Sequence, residues 1–332
     1  MEHIPALIKQ CGLGTVTGEL LPVSGGLMHK MYKVPASSGC YAVKCLNPEI
    51  MKRPQAMENY REAERLESIL KEHGLSVVAA LSFDGKKMIE LDGGYYYVFP
   101  WLDGEIADPA MISEEQCRIA GGILGRIHAI DSSSAAPVEE TTDPVNFGTY
   151  LRLAKEKKSP IAELLGAERP LLEKAQEELS EARGKLPAIR AISNDDMDPK
   201  NIMWNEGKAY VIDLECLGYS NPVSSCLDLA LQWAGTVNGN FRKEKLAAFF
   251  QGYLKAYDNG FRAYDELFGI SYTWIEWLEY NLKRALGTEG SDAGEIRLGE
   301  TETENTIKRI KYLASLEEEI RSVLKELRMA RS

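Results

Sequence analysis

The chain has 332 residues, of which 44% are hydrophobic and 27% are charged, and its formal net charge is −11 at pH 7. This length predicts two domains or lobes, and the composition is typical of a globular protein. The acidic balance without a visible basic patch argues against nucleic-acid binding, and no segment reaches the ~18 apolar residues that a membrane span needs.

The six cysteines form no CxxC pair and no metal-ligand spacing. We therefore expect buried thiols in a reducing cytoplasm, not disulfides. The N-terminal segment lacks the basic stretch followed by an apolar run that marks a secretory signal. Together these features predict a cytoplasmic protein with no membrane partner.

The negative charge is unevenly distributed along the chain. Residues 1–102 carry equal numbers of acidic and basic side chains, so the whole excess of 11 negative charges lies in residues 103–332. An acidic second half would attract a cationic substrate. Charge that serves only solubility explains the same excess equally well.

Residues 1–102 have the pattern of a mainly β lobe with one helix. Met31–Val34 and Cys40–Leu46 predict two strands joined by a loop over residues 35–39. Arg61–Leu70 predicts a helix whose apolar face holds Ala63, Leu66, Ile69 and Leu70.

From Ser113 onward the pattern becomes helical. Helices are predicted over residues 117–130, within residues 145–185 and over residues 274–284, and glycines mark a flexible loop over residues 287–299. A final helix carries an apolar stripe of Ile307, Ile310, Leu313, Leu316, Ile320, Val323 and Leu327. This stripe would pack on the lobe or form a dimer, so both a monomer and a homodimer stay open.

The most informative stretch runs from residue 192 to residue 215. Asn201 follows Asp196 after five residues, and Asp213 follows Asn201 after twelve. Apolar arms at residues 202–204 and 209–212 flank turn-forming residues, which predicts a β-hairpin that brings Asn201 and Asp213 together. Phosphoryl transfer needs a carboxylate to orient and deprotonate a hydroxyl, and an amide and a carboxylate to hold Mg²⁺.

This stretch resembles the catalytic loop and metal motif of the aminoglycoside phosphotransferase and choline kinase family, the small-molecule kinases of the protein-kinase-like fold. The resemblance implies an α+β bilobal fold, with a small mainly β N-lobe with one key helix (1–102) and a larger helical C-lobe (103–332). It implies Asp196 as the catalytic base and Asn201 and Asp213 as the Mg²⁺ ligands. Asn194 stands where the family has His, a scaffold residue whose hydrogen bonds an amide can also donate and accept.

The resemblance also assigns the nucleotide contacts. Tyr41-Ala-Val-Lys44 is similar to the strand that carries the ATP-contacting lysine, and Glu62 aligns with the helix glutamate that pairs with it, Glu58 and Glu64 being the alternatives. The implied nucleotide-binding residues are Ser24, Gly25, Gly26, Lys44, Glu62, Phe99, Trp101 and Leu102. Gly25 and Gly26 would let backbone N–H groups approach phosphate, although a Gly pair is more often a plain turn.

Candidate acceptor contacts are fewer. Glu215 matches an acidic position of the small-molecule branch and would serve a second metal, loop hydrogen bonds or the substrate. Glu276, Trp277 and Glu279 could line a pocket for a cation through cation–π and carboxylate contacts. The alternative is a buried Trp on a helix, which is the more common arrangement.

The resulting hypothesis is an ATP- or GTP-dependent, Mg²⁺-requiring kinase for a hydroxyl of a small, amine-bearing molecule such as an aminoglycoside antibiotic. Choline, ethanolamine, homoserine or a sugar are alternative acceptors. A pseudokinase that binds nucleotide without turnover is a further alternative, favoured by Asn194 and opposed by the presence of Lys44, Asp196, Asn201 and Asp213. A protein kinase fits less well because no Asp-Phe-Gly stands at residue 213.

Overall fold

The computed structural model describes residues 2–23, 29–134, 144–289 and 292–329. The chain divides into two compact units, the first made of residues 1–107 and 192–219 and the second of residues 108–191 and 220–332. Residues 192–219, which the sequence placed in the second lobe, therefore group with the first unit. The complete predicted catalytic loop lies in the same unit as Lys44.

The strands are numbered in chain order. They are β1 (Leu21–Val23), β2 (Lys30–Ala36), β3 (Gly39–Cys45), β4 (Ile89–Leu91), β5 (Gly94–Pro100), β6 (Glu105–Ile106), β7 (Ser132–Ser134), β8 (Ile189–Asn194), β9 (Ile202–Asn205), β10 (Lys208–Val211) and β11 (Leu217–Ser220). β1 to β5 form one antiparallel sheet in the order β1-β2-β3-β5-β4, and β6, β9 and β10 form another in the order β10-β9-β6.

The α-helices are α1 (Ile4–Gln10), α2 (Pro48–Met51), α3 (Ala56–Glu72), α4 (Glu114–His128), α5 (Phe147–Glu156), α6 (Ile161–Gly184), α7 (Pro222–Leu231), α8 (Lys243–Ala256), α9 (Trp274–Ala285), α10 (Ala293–Ser315) and α11 (Glu317–Met329). A 3₁₀ turn at Pro199–Asn201, a π-helical turn at Gln232–Thr236 and a 3₁₀ segment at Tyr264–Thr273 complete the helical part.

The five-stranded sheet is covered on both faces. α1 contributes Ile4, Leu7 and Ile8, spaced i, i+3, i+4, to a cluster that includes Val43 and Val98. This spacing puts all three residues on one side of the helix. The second helix-covered face was not predicted, because α1 is short and precedes the strands.

The other face of the same sheet packs against α3. Tyr60 of α3 joins Leu46 and Tyr97 in a second cluster, with the rings of Tyr60 and Tyr97 6.0 Å apart. Side chains alternate between the two faces of a strand. Since Val43 faces α1, Lys44 faces α3, and it lies directly opposite Tyr97 in the β3–β5 register.

The predicted hairpin of the first unit forms with a shorter connection. Pro35 and Ala36 lie in β2, where Pro35 is opposite Cys40, so only Ser37 and Ser38 join the strands. α3 begins five residues before the predicted start. It buries Tyr60 and Glu67 besides Ala63, Leu66 and Leu70 of the predicted apolar face, whereas Ile69 is only half-buried. All six cysteines are free thiols, as predicted, but only Cys117 and Cys226 are buried, and Cys216 is exposed.

The second unit is a helical assembly with a short β7–β8 pair. The final helix was predicted as one element but is two, because the chain leaves the helix at Leu316 between α10 and α11. Gly299 was predicted in a loop and lies inside α10, where a Cβ would meet the backbone nitrogen of Ala285 at 2.4 Å. A glycine is therefore needed for the close approach of α10 to α9. Gly290 lies outside the described residues.

The buried His128 should make the stability of the second unit depend on pH. Its ring is fully buried, with Nδ1 2.8 Å from the Tyr253 hydroxyl, and burial lowers the pKa of its imidazole from 6.5 to about 3. Between these two values the unfolded chain binds a proton that the folded chain does not, so stability falls as the pH drops from 6.5 towards 3. The expected loss is of the order of a few kcal/mol, at about 1.4 kcal/mol per pKa unit.

Denaturant unfolding measured from pH 7 to pH 4 tests this prediction. His128→Asn, which can keep a hydrogen bond to Tyr253, should flatten the pH dependence, whereas His73→Asn at the exposed end of α3 should not. An unchanged pH slope in His128→Asn would show that other groups cause the acid sensitivity.

Among the helices that the structure describes, none combines the length and apolar character needed to cross a lipid bilayer.

Candidate active site

The β9–β10 hairpin brings two predicted metal ligands together. Ile202 lies opposite Val211, and the Ile212 N–H donates to the Asn201 carbonyl at 3.0 Å. The two turn residues, Glu206 and Gly207, have φ values of 47° and 76°, as the favoured two-residue hairpin turns require. Asn201 and Asp213 consequently flank the open end of the hairpin, as predicted.

Backbone contacts fix this hairpin within the first unit. The Val211 N–H donates to the Ser76 carbonyl at 2.9 Å, and the Val78 N–H donates to the Val211 carbonyl at 2.9 Å. Asp213 lies two residues after Val211 and has a φ of 57°, in the left-handed region that residues other than glycine seldom adopt. Such backbone strain is concentrated at functional sites.

Asp196 is held by donors on both carboxylate oxygens. Asn201 Nδ2 donates to Asp196 Oδ2 at 2.9 Å and to the Asp196 carbonyl at 2.7 Å. Lys200 Nζ lies 3.3 Å from Asp196 Oδ1 and 2.9 Å from Asp198 Oδ2. The side chain of Asp196 is thereby oriented while its surface stays partly accessible.

The surroundings of Asp196 also tune its acidity. Burial raises the pKa of its carboxyl group to about 6; the positive charge of Lys200 opposes this rise, and the carboxylates of Asp198 and Asp213 add to it. A general base works best when its pKa lies near the operating pH. Asp196 thus has both the accessibility and the basicity to accept a proton.

Lys44 lies between two carboxylates. Its side chain is 6% exposed, and Nζ is 2.7 Å from Asp213 Oδ1 and 2.6 Å from Glu215 Oε2. Burial on its own would lower the pKa of the ammonium group, but the two carboxylates outweigh it and raise the pKa. Lys44 is therefore a buried cation next to the predicted metal ligand.

The predicted pairing of Lys44 with Glu62 is replaced by a different one. Glu62 accepts two hydrogen bonds from Arg65, at 2.7 and 2.8 Å, near the surface of α3. Glu64 instead accepts from the Tyr97 hydroxyl at 2.8 Å, and Glu58 is exposed. The phase of α3 turns Tyr60 towards the sheet, so the helix presents a tyrosine where a glutamate was expected.

These contacts predict that two glutamate substitutions affect nucleotide binding to different extents. Glu215→Gln should weaken nucleotide binding by roughly tenfold, because it removes the charge of a buried hydrogen-bonded ion pair. Glu62→Gln should change it by less than about twofold, because exposed pairs one turn apart on a helix contribute little. Equilibrium titration with a fluorescent ATP analogue measures both, and a larger effect of Glu62→Gln would restore the original assignment.

Sequence reasoning missed three residues of this region: His29, Tyr60 and Lys200. His29 Nε2 lies 3.4 Å from Glu215 Oε1 and 3.1 Å from the Tyr60 hydroxyl. The sequence signal for Lys200 was its place directly before Asn201, within the catalytic loop. His29 and Tyr60 carried no comparable signal, since only the fold brings them to Glu215.

Asn194 fills the scaffold position only in part. Its side chain is fully buried, and Oδ1 accepts from the Asp196 N–H at 3.4 Å. Its Nδ2 has no hydrogen-bond partner among the described residues. The expected acceptor role is therefore present, whereas the expected donor role is not.

The remaining predicted nucleotide residues have mixed placements. Ser24, Gly25 and Gly26 lie outside the described residues. Phe99 and Leu102 are half-buried. Trp101 is also half-buried; its Nε1 donates to Asp103 Oδ1 at 2.8 Å, and Lys33 Nζ lies 4.3 Å from the centroid of its ring. The adenine contacts stay a prediction.

The predicted acceptor residues on α9 belong to the second unit. Glu276 Oε1 accepts from Arg183 at 2.7 Å, and Glu279 accepts from the Tyr150 hydroxyl at 2.7 Å. The Trp277 ring lies 5.4 Å from that of Tyr280. Both carboxylates already have donors within their own unit, and their contact with an acceptor stays a prediction.

The donor set fits a magnesium ion that also binds phosphate oxygens. Asn201 uses its Nδ2 on Asp196, which leaves Oδ1 as the side-chain atom able to bind a cation, and Asp213 supplies a carboxylate. No group of three or more His, Cys, Asp or Glu suited to a metal occurs in the described ranges. Mg²⁺ is usually held by one or two carboxylates together with substrate phosphates and water, so the Asn201 amide oxygen and the Asp213 carboxylate suit it as donors.

Comparison with known proteins agrees with this geometry. The family model described as the phosphotransferase enzyme family matches residues 19–267. A search of curated proteins finds no match.

Three solved structures are similar over most of their length. A spectinomycin phosphotransferase in complex with ADP and spectinomycin has a TM-score of 0.67 at 11% identity, with 94% of this chain and 98% of that chain covered. A choline/ethanolamine kinase family protein from Mesorhizobium loti has a TM-score of 0.63 at 16% identity, with 99% of each chain covered. Amicoumacin kinase in complex with AMP-PNP, Ca²⁺ and Ami has a TM-score of 0.59 at 13% identity, with 91% and 92% covered. At these identities the likeness shows the fold, and the predicted α+β protein-kinase-like class is confirmed.

Proposed function

The chain belongs to the phosphotransferase enzyme family, and from this premise we propose that it transfers the γ-phosphate of ATP or GTP to a hydroxyl of a small, amine-bearing molecule. The single observation that carries the proposal is the arrangement of Asp196, Asn201 and Asp213 at one end of the hairpin, with Lys44 bonded to Asp213. This set contains a base, two oxygen donors for a cation and a buried ammonium, which are the groups that phosphoryl transfer requires.

Each residue has a distinct part in the proposed reaction. Mg²⁺ held by Asn201 Oδ1 and the Asp213 carboxylate would neutralise charge on the nucleotide phosphates. Lys44 binds phosphate oxygens through its ammonium group. Asp196 accepts the proton of the acceptor hydroxyl, whose oxygen attacks the γ-phosphorus in line. The bond between the γ-phosphorus and the oxygen that bridges it to the β-phosphate breaks, and ADP or GDP leaves. Asn201 keeps the Asp196 carboxylate in orientation throughout.

Support for a nucleotide and a divalent metal comes from the similar structures. The spectinomycin phosphotransferase was solved with ADP, and amicoumacin kinase with AMP-PNP and Ca²⁺. The choice of Mg²⁺ rests on the small oxygen-donor set of this chain. The preference between ATP and GTP is part of the experiment below.

An amine-bearing acceptor is supported by charge. The negative excess lies in residues 103–332, and one similar structure belongs to the choline/ethanolamine kinase family. An acidic surface raises the local concentration of a cationic substrate. Glu276, Trp277 and Glu279 are the proposed contacts on α9, and Glu215 is more strongly engaged by Lys44 than free for an acceptor.

Matched acceptor pairs test this class directly. Ethanolamine would be compared with ethylene glycol, glucosamine with glucose, and a panel of aminoglycosides with neutral sugars, each with ATP and with GTP. We expect turnover that amine-bearing acceptors stimulate and their amine-free partners do not. Stimulation by neutral sugars alone would instead identify a sugar kinase.

Nucleotide binding without turnover is the second candidate. The specific observation that favours it is the buried Asn194 Nδ2, which has no hydrogen-bond partner among the described residues. An incompletely bonded scaffold would leave the catalytic loop less rigid. This candidate predicts nucleotide binding that no acceptor converts into turnover.

Lys200 provides a prediction about the transfer step. Lys200→Met should lower kcat by roughly tenfold or more, because its ammonium group neighbours the base and the site of developing charge. Because the positive charge of Lys200 opposes the rise in the Asp196 pKa, its removal should move the acid limb of the pH–rate profile to higher pH. Lys208→Met, at an exposed position of β10, is the matched control. An unshifted acid limb would contradict the assignment of Asp196 as the base.

A further inference from the structure

His29 occupies a buried position between three elements of the first unit. The Asn47 N–H donates to His29 Nδ1 at 3.0 Å. On the other side of the ring, Nε2 lies 3.4 Å from Glu215 Oε1 and 3.1 Å from the Tyr60 hydroxyl. The imidazole therefore contacts the segment before α2, the helix α3 and the residue that holds Lys44.

The contact from Asn47 fixes the chemistry of the ring. A nitrogen that accepts a backbone N–H carries no proton, so the ring proton sits on Nε2. Nε2 then carries one N–H, which the Tyr60 oxygen at 3.1 Å and Glu215 Oε1 at 3.4 Å share. Asn47 is itself fixed, because its side chain accepts from the Glu49 N–H at the start of α2.

Glu215 divides its two oxygens between His29 and Lys44. Oε2 accepts from Lys44 Nζ at 2.6 Å, while Oε1 faces His29. A glutamate carboxylate that accepts a hydrogen bond on only one oxygen can rotate about the Cγ–Cδ bond. The second contact therefore sets the direction from which Glu215 holds the lysine.

Tyr60 connects this set to helix α3. Its hydroxyl reaches His29, and its ring packs against Tyr97, which lies opposite Lys44 in the sheet. The glutamates of α3 lie elsewhere, with Glu62 on Arg65 and Glu64 on Tyr97. The helix thus reaches the lysine through a tyrosine and a histidine.

We infer that His29 is a positioning residue that, with Tyr60, aligns Glu215 and thereby holds Lys44 for the nucleotide phosphates, in place of a direct pair between Lys44 and a glutamate of α3. The inference rests on the proposed function for its nucleotide. It acts through Glu215, so neither His29 nor Tyr60 touches a reacting atom.

Two substitutions separate the two sides of the His29 ring. Gln places its amide nitrogen near the position of Nε2 and can still donate to Glu215. Asn places its amide oxygen near the position of Nδ1 and can still accept from Asn47. A positioning role requires the first contact, whereas a purely structural role in the loop before α2 requires the second.

Measurements of nucleotide affinity distinguish the positioning role from the purely structural role. With a fluorescent ATP analogue and Mg²⁺, His29→Asn should bind roughly tenfold more weakly than the wild type, and His29→Gln should bind several-fold more tightly than His29→Asn. Tyr60→Phe should cause a smaller loss, since the ring packing is kept. His73→Asn at the exposed end of α3 is the control. Equal affinities of the two His29 variants, or the reverse order, would overturn the inference.

A double-mutant cycle in the nucleotide-free protein separates this inference from the proposed function. The contact of His29 with Glu215 predicts that the effects of His29→Asn and Glu215→Ala on thermal unfolding are not additive, because each variant removes the same contact. Additive effects would show that His29 does not act through Glu215, even if the protein binds nucleotide. A wild type that binds no nucleotide, together with a non-additive cycle, would overturn the proposed function and the role of His29 in it, while leaving the contact in place.

Discussion

Asp196→Asn should abolish phosphoryl transfer while it leaves nucleotide binding within about a factor of two. Asn has nearly the same shape and its Oδ1 can still accept a hydrogen bond from Asn201 or Lys200, so the loop keeps its arrangement. An amide, however, cannot accept the proton of the acceptor hydroxyl. Loss of a general base typically lowers the rate by about 10²–10⁴-fold.

The neighbouring aspartate supplies the control for this prediction. Asp195 is exposed and accepts from the Ser193 hydroxyl at 2.7 Å, so Asp195→Asn makes the same chemical change one residue away. Turnover with the best acceptor and binding of a fluorescent nucleotide are measured for both variants. Full activity in Asp196→Asn, or equal losses in the two variants, would show that the catalytic-loop alignment is wrong.

Asp213→Asn should weaken both nucleotide binding and transfer. The substitution removes the charged oxygen donor proposed for Mg²⁺ and one of the two carboxylates that face Lys44. We expect kcat/KM to fall by roughly 10²-fold or more, since electrostatic groups of this kind contribute several kcal/mol to phosphoryl transfer. Higher Mg²⁺ concentrations should recover part of the nucleotide affinity, which distinguishes this variant from Asp196→Asn.

The control for Asp213 must share its unusual backbone. Asp84 has a φ of 49°, against 57° for Asp213, and lies in an exposed turn of the same unit. Asp84→Asn therefore tests the effect of the amide in a left-handed conformation without touching the site. An affinity for the nucleotide that does not depend on Mg²⁺ concentration in either the wild type or Asp213→Asn would argue against a metal at this position.

The hairpin and its flanking residues could be predicted because their signals are local. Apolar arms and turn-forming residues between Asn201 and Asp213 determine both the pairing and the register. The same holds for Lys44, since strand alternation decides its face once Val43 is buried. Motif spacing within one short segment needs no knowledge of the rest of the fold.

The partners of Lys44 could not be predicted in the same way. Glu62 was chosen by alignment on a helix whose phase depends on which side packs against the sheet, and Tyr60 occupies that side. Glu215 and His29 meet only because distant segments fold together. The loop predicted around Gly299 failed for a related reason: the glycine serves a close approach of two helices, which sequence patterns alone treat as a break.

The most direct test of the proposed phosphoryl transfer is the transfer of label from [γ-³²P]ATP or GTP to the acceptor panel by the wild type, Asp196→Asn and Lys44→Met. The proposed reaction predicts labelled, amine-bearing product in the wild type, none in Asp196→Asn despite bound nucleotide, and weak nucleotide binding in Lys44→Met. Nucleotide binding with no labelled product from any acceptor in the wild type, or product from Asp196→Asn, would contradict it.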